Sequence, residues 1–344
     1  MHTFFICRCL ELAEKGRGLV GNGAMVGAVL VRDGKIIAEG FHEGFGCPHA
    51  ESMLLKKYEY NICSTDILYV NLEPCCHTGK TPPCTEILLE RGIKKLVFGM
   101  QDPDERVAGK GIALLRSKGV EVIGPILEDE CLRLNRGFVS VRMKSRPWIT
   151  LKMARTIDGR IANHDRSMMK ITTQQQDQWA HEFLRARHDA ILVGVGTILS
   201  DDPRLTVRCP HPRPLPRSGG GERQRQPWRI VLDKNFETEL SATVVGDAHS
   251  SSTILIRGEI KSTEDSIEKE RVLEGRGVTI LTVPVVRGQF DWPSLWDALI
   301  TPQQGYNGIT SILVEGGPKT WEFFRHAGCV DQEVLLIGKK SLRG

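Results

Sequence analysis

Two proline-led segments constrain this chain more than anything else in it: Pro48-His49-Ala50-Glu51 and Glu73-Pro74-Cys75-Cys76-His77-Thr78-Gly79-Lys80-Thr81-Pro82-Pro83-Cys84. Together they offer one imidazole, two thiols and a carboxylate that need not bind metal. Pro48 introduces a helix over 50–57 that starts at His49, and Pro82-Pro83 introduces a second over 84–91, closed by Gly92. The strand expected over 66–72 delivers Cys75 just past its end. A fold that satisfies these demands brings two helix N-termini and one strand end to a common point, which is an α/β layer arrangement. The positive dipole end of each helix favours thiolate there. Residues two apart diverge in mid-helix, so His49 and Glu51 can share a site only because the helix is just beginning.

That inventory is the one used by hydrolytic zinc deaminases. His49, Cys75 and Cys84 are three ligands that leave a fourth metal position open for water, and Glu51 is the group that moves protons between water and leaving amine. A structural zinc site would close all four positions and would have no use for Glu51. Cys76 and His77 lie in the same loop as alternative ligands or as pocket lining.

Length and composition set the frame. A chain of 344 residues holds two domains of ordinary size. No apolar run approaches the ~20 residues of a membrane span, and the N-terminus reads as an amphipathic helix rather than a signal peptide. Ten cysteines without paired spacing point to free thiols in a reducing cytoplasm. A net charge of +4 does not call for nucleic acid but suits a phosphorylated small substrate. The expected partners are a phosphorylated small-molecule substrate and further copies of the chain, with neither nucleic acid nor membrane.

Along residues 1–145, strands over 26–31 and 35–38 flank the turn signal Asp33-Gly34, and strands over 96–100 and 120–123 bracket a helix over 111–118. A polar stretch at 144–147 marks the boundary, giving domains 1–145 and 146–344. The second series has strands over 148–153, 190–193, 229–232, 253–256, 278–283 and 311–315, with an exposed, arginine-rich loop over 211–225. Val314-Glu315-Gly316-Gly317-Pro318 is a strand end with paired glycines before a helix over 319–326, a junction whose amides can cradle a dinucleotide phosphate. No Gly-x-Gly-x-x-Gly fingerprint accompanies it. The polar cluster over 194–208 is either a second site element or a surface turn.

These motifs resemble the bifunctional riboflavin-biosynthesis deaminase/reductase family over nearly the full length. The resemblance is carried by His49-Ala50-Glu51, Glu73-Pro74-Cys75, Thr81-Pro82-Pro83-Cys84, Gln101-Asp102-Pro103 with Val107 to Gly111, Asp158 to Ala162, Asp201 to Arg208, and Val314 to Pro318. The eight residues between Cys75 and Cys84 are the family's spacing; cytidine and transfer-RNA deaminases place two there. The resemblance implies a cytidine-deaminase-like three-layer α/β domain over 1–145 that deaminates a diaminopyrimidinone ribosyl-phosphate with one Zn2+. It implies a dihydrofolate-reductase-like α/β domain over 146–344 that reduces the ribosyl chain with NADPH. His49, Cys75 and Cys84 match its zinc ligands and Glu51 its proton carrier. Ala154, Lys170, Thr197, Asp201, Gly317, Pro318, Lys319 and Thr320 match cofactor positions. Lys152, Arg185, Leu205, Arg208 and Glu315 match substrate positions, with the two arginines as a 5′-phosphate clamp and with Lys152 and Asp201 beside the sugar.

Three departures stand out. The family's Pro-Asn-Pro, whose Asn holds the pyrimidine, is replaced by Asn22-Gly23-Ala24-Met25, with the amide one position early. Lys170 stands where a Trp is common, after Met168-Met169 in place of a more polar pair. The family continues past the position of Gly344, so the expectation is a reductase sheet without its last elements. Two other readings are a monofunctional zinc pyrimidine deaminase with an inactive second domain, and a nucleic-acid-binding protein built on a structural zinc and the arginine-rich loop.

Overall fold

The computed structural model describes residues 1–79, 82–105, 107–160, 171–208, 226–259, 261, 263–303 and 305–338. They form two compact units, one built on Met1–Ser145 together with residues 306–308, the other on the remaining described residues from Arg146 onward.

The first unit runs α1 (His2–Glu14), β1 (Gly27–Arg32), β2 (Lys35–Phe41), α2 (Ala50–Lys57), β3 (Ile67–Leu72), α3 (Cys84–Glu90), β4 (Lys95–Met100), α4 (Lys110–Ser117), β5 (Glu121–Ile123), α5 (Glu128–Leu134) and α6 (Arg136–Lys144). Its sheet has the order β2-β1-β3-β4-β5; β1 is antiparallel to both neighbours and β3, β4 and β5 are parallel. The hairpin turn is the expected one, with Asp33 and Gly34 both at positive φ. Strands β1, β3 and β4 are buried almost throughout, as strands covered on both faces must be. Ile6, Cys9 and Leu12 of α1 belong to the same core as Leu30, Tyr69 and Leu96. Gly27 admits this packing, because a Cβ there would stand 2.2 Å from the Cys9 carbonyl oxygen.

The second unit runs β6 (Trp148–Thr156), α7 (Gln174–Phe183), β7 (Ala190–Gly194), α8 (Val195–Asp201), β8 (Trp228–Leu232), α9 (Thr243–Gly246), β9 (Thr253–Arg257), α10 (Glu264–Gly275), β10 (Thr279–Thr282), β11 (Val285–Val286), β12 (Gln289–Phe290), α11 (Trp292–Ile300), β13 (Ser311–Val314), α12 (Pro318–His326) and β14 (Gln332–Gly338). A seven-stranded sheet has the order β10-β9-β8-β7-β13-β6-β14, and every pairing in it is parallel. β13 slots between β6 and β7, so the strand order reverses there; ligands of open parallel sheets bind outside the carboxyl ends of strands at such a point. Two carboxylates fix the insertion. Asp189 Oδ2 accepts the Thr310 N–H (2.9 Å), the Thr310 hydroxyl (2.7 Å) and the Ser311 N–H (3.0 Å). Asp331 accepts the Arg146 guanidinium at 2.6 and 2.9 Å and the Ile149 N–H at 2.9 Å, tying the start of β6 to the approach to β14. No helix among the described residues is long and apolar enough to cross a membrane.

Candidate active sites

In the first unit the three ligands arrive as the prolines require. His49 is the N-cap of α2, Cys84 opens α3, and Cys75 follows β3. The carboxylate of Glu73, buried just before Cys75, accepts backbone N–H bonds from Asp102 (3.3 Å), Gly109 (2.9 Å) and Ile112 (3.2 Å), which anchors the strand end to the start of α4. Gly111 permits that approach, since a Cβ would lie 2.1 Å from the Pro74 carbonyl oxygen. The Thr85 N–H reaches the Cys75 carbonyl at 3.1 Å, so the two cysteine-bearing segments are bonded directly.

The donor set fits zinc. His49 Nδ1 lies 3.3 Å from Cys84 Sγ and 3.5 Å from Cys75 Sγ, and all three ligand atoms fall within 4.8 Å of one another. A tetrahedral zinc with ordinary Zn–S and Zn–N bonds sets nitrogen and sulfur about 3.5 Å apart. The Cys75 thiol is pulled well below its ordinary range by bonds from Cys84 and His49, with the Cys84 N–H adding to them at 3.3 Å. That is the form a metal ligand needs. Glu51 is 3 % exposed, and burial pushes its carboxyl up to about 6. Cys76 is half-buried and His77 exposed; neither joins the ligand group.

A residue that motif reasoning passed over is His42. Its ring stands 5.4 Å from that of His49, edge to face, and its Nδ1 donates to the Ala24 carbonyl at 3.2 Å. Burial lowers its pKa, keeping it neutral. No spacing rule could flag it, because it lies outside both proline-led segments.

In the second unit Glu315 pairs with Arg185 and feels the charge of Lys152, whereas Asp201 lies exposed at the last turn of its helix, accepting the Ser200 hydroxyl. Lys152 and Ala154 lie on β6, Thr197 and Asp201 on α8, and Glu315 immediately follows β13. Lys170 lies outside the described residues, as does the 211–225 loop. Paired glycines make the turn possible: a Cβ on Gly316 would sit 2.6 Å from the Thr320 hydroxyl oxygen, and one on Gly194 would sit 2.9 Å from it. Gly317 and Gly196 instead face open space. This turn at the N-terminus of α12, with Gly317 as N-cap and open space above it, has room at the positive end of the helix for the diphosphate of a dinucleotide.

Charge is organised around Arg185. Its Nε and Nη2 pair with the two oxygens of Glu315 at 2.9 and 2.5 Å, and its Nη1 donates to the Thr206 carbonyl at 2.9 Å. Burial would push the Glu315 carboxyl up, but the Arg185 charge and hydrogen bonds outweigh it and hold the group at about 2. Arg208 has no carboxylate partner among the described residues; its Nη1 meets the Thr206 hydroxyl at 3.3 Å. Leu205, at positive φ, buries its side chain in the core, leaving only its backbone to face a ligand. The 194–208 cluster is thus a short helix followed by an anchored loop rather than a surface turn. His181, another residue without a motif, accepts the Arg208 N–H on Nδ1 at 3.0 Å. Burial, then Arg185 and Arg208, bring its pKa down to about 4.

Known proteins match both halves. Residues 1–100 match the cytidine and deoxycytidylate deaminase zinc-binding region, and residues 147–342 match the RibD C-terminal domain. The riboflavin biosynthesis protein RibD of Aquifex aeolicus is 38% identical over 333 residues, covering 97% of this chain and 85% of the relative. That of Escherichia coli is 34% identical over 340 residues, covering 98% and 88%. The solved deaminase/reductase of Thermotoga maritima superposes with a TM-score of 0.77 at 34% identity, covering 100% of this chain and 88% of that one. Acinetobacter baumannii RibD gives 0.79 at 29% identity with the same coverage. With a zinc-fitting deaminase site in one unit and a dinucleotide cradle in the other, this chain belongs to the RibD family, the riboflavin-biosynthesis enzymes that join a zinc deaminase to an NADPH-dependent reductase.

Proposed function

We propose that the first unit hydrolyses the 2-amino group of 2,5-diamino-6-(5-phosphoribosylamino)pyrimidin-4(3H)-one and that the second reduces the ribosyl chain of the product to ribityl. The observation that carries this reading is the His49, Cys75 and Cys84 cluster with a buried Glu51 beside it. The Thermotoga maritima relative is named for that pair of activities.

In the deaminase, zinc held by His49, Cys75 and Cys84 supplies Lewis-acid activation of a water. Glu51 takes a proton from the attacking water and returns one to the departing amine, which leaves as ammonia. A carboxyl brought by burial to about 6 exchanges protons readily near neutral pH. His42, packed against His49, keeps the ligand ring oriented.

In the reductase, NADPH held at Gly317, Pro318, Lys319 and Thr320, with Ala154, Thr197 and Asp201 alongside, supplies the hydride. The oxygen released as the ribosyl C1′ is reduced needs a proton, and Lys152 and Asp201 are the candidates to provide it. Glu315, held ionised by Arg185, accepts a sugar hydroxyl. Because Arg185 is neutralised by Glu315, the 5′-phosphate falls chiefly to Arg208.

We further infer a cytoplasmic homo-oligomer. The nine cysteines among the described residues are free thiols, which supports a reducing compartment. A coupled assay that follows ammonia release and NADPH oxidation on the diaminopyrimidine tests the two activities together. Ammonia without NADPH oxidation would restore the monofunctional reading, and no ammonia would remove the deaminase assignment.

A further inference from the structure

The segment leading into β1 leaves the sheet earlier than its sequence suggests. β1 pairs with β3 from Ala28 opposite Val70 to Val31 opposite Ile67, and the next rung would join Gly27 to Asn71. The Asn71 side chain takes the place of that rung. Its Oδ1 accepts the Gly27 N–H at 2.8 Å and its Nδ2 donates to the Met25 carbonyl at 3.0 Å. Asn135, at the junction of α5 and α6, closes on the same residue: its Oδ1 accepts the Met25 N–H at 2.8 Å and its Nδ2 donates to the Met25 carbonyl at 3.0 Å. Asn71 is 0% exposed and Asn135 1%.

Burying a carboxamide is unfavourable unless its bonds are made. Two of them, drawn from separate parts of the chain, meet on both polar backbone atoms of Met25. They fix Met25, which has no strand partner of its own, on a stretch that reaches the metal ligand His49 through His42. The His42 N–H donates to the Val26 carbonyl at 2.9 Å, and His42 Nδ1 donates to the Ala24 carbonyl at 3.2 Å. His42 in turn packs on His49. The strap 22–27 therefore runs behind the His42–His49 pair, and it carries the displaced amide of Asn22.

We propose that Asn71 and Asn135 are positioning residues of the deaminase. They hold the strap over 22–25 as the wall on which the pyrimidine rests, and so set substrate affinity without touching substrate. The inference rests on the deaminase reading above.

The test is deamination kinetics of N71A, N135A and the double variant in the full chain, with zinc content and NADPH-dependent reduction as folding controls. Each single variant is expected to raise the deamination KM roughly 5- to 30-fold, the equivalent of one lost buried bond or two. The deamination kcat should stay within about twofold and zinc at about one per chain, because the ligands and Glu51 are untouched. Since both side chains act through Met25, the double variant should raise KM by less than the product of the single effects. If N135A fails to load zinc, N135S, with a smaller cavity, reads the same KM. An unchanged KM in zinc-loaded variants, or a fall in kcat at constant KM, would overturn the proposal. Wild-type ammonia release separates the two levels: its absence overturns the deaminase reading itself, and the inference with it.

Discussion

Replacing Glu315 by Gln removes one charge from the Arg185 pair and preserves its shape. Glu315 drops from an ordinary 4.5 to about 2 in the folded protein, and its side chain is only 7% exposed. A drop of that size corresponds to about 3 kcal/mol of folding free energy. The sign follows from the folded value lying below the unfolded one: the contribution is complete above about pH 4.5 and disappears as pH falls toward 2. At pH 3 about 1 kcal/mol should remain. The assay is built into the sequence, because all six tryptophans (148, 179, 228, 292, 296 and 321) lie in the second unit. Urea unfolding followed by tryptophan fluorescence therefore reports that unit alone. Wild type should exceed E315Q by about 3 kcal/mol at pH 6 and by about 1 kcal/mol at pH 3. A gap that is absent at pH 6, or that does not narrow at pH 3, would refute the reasoning.

The other expectations concern the two chemistries. Wild-type protein should carry about one zinc per chain, and C75S or C84S should lose it in elemental analysis; full retention in both would remove the ligand assignment. E51Q should keep zinc and lose deamination by ~10²–10⁴-fold, measured as ammonia release, because an amide fills the same space without carrying a proton. R208K should raise the reductase KM more than it lowers kcat in NADPH-oxidation kinetics, since lysine keeps the charge and loses the fork that meets a phosphate. An unchanged KM there would move the phosphate elsewhere.

The zinc-fitting site was legible because its determinants are local. Pro48 and Pro82-Pro83 fix where two helices begin, and the helix starts fix where His49, Glu51 and Cys84 point. The strands of both units were largely legible from apolar runs for the same reason. β14 was not expected, although Val334-Leu335-Leu336-Ile337 is a short apolar run: the strand lies near the end of the chain, where the sheet was expected to lack its last elements, and two of those four residues, Leu335 and Ile337, are exposed rather than buried. Contacts between distant positions were equally hidden. Arg185 reads as a cation available to phosphate, and only the fold reveals that Glu315, 130 residues away, occupies it. His181 lies near the end of a polar helix, and nothing in its neighbours in sequence announces Arg208. Asn71 reads as one more residue of a strand; its work is done by its side chain, on a backbone 44 and 46 residues upstream.

The placement of β13 between β6 and β7 has a consequence for how the second unit comes into being. Among the described residues β6 pairs with β13 and β14, and both are synthesised after the other strands of that sheet. At ~5–20 residues per second, the gap between β6 and β13 takes on the order of 10–30 s to emerge from a ribosome. For that interval the apolar strand that carries Lys152 has no neighbour, while β7, β8, β9 and β10 can already assemble in order. The centre of the sheet closes last. Folding is therefore paced by long-range parallel pairing, a slow class of step, and the nascent chain passes through a stage with β6 exposed. Heat shock or overexpression should trap that species as aggregate before it affects the finished enzyme.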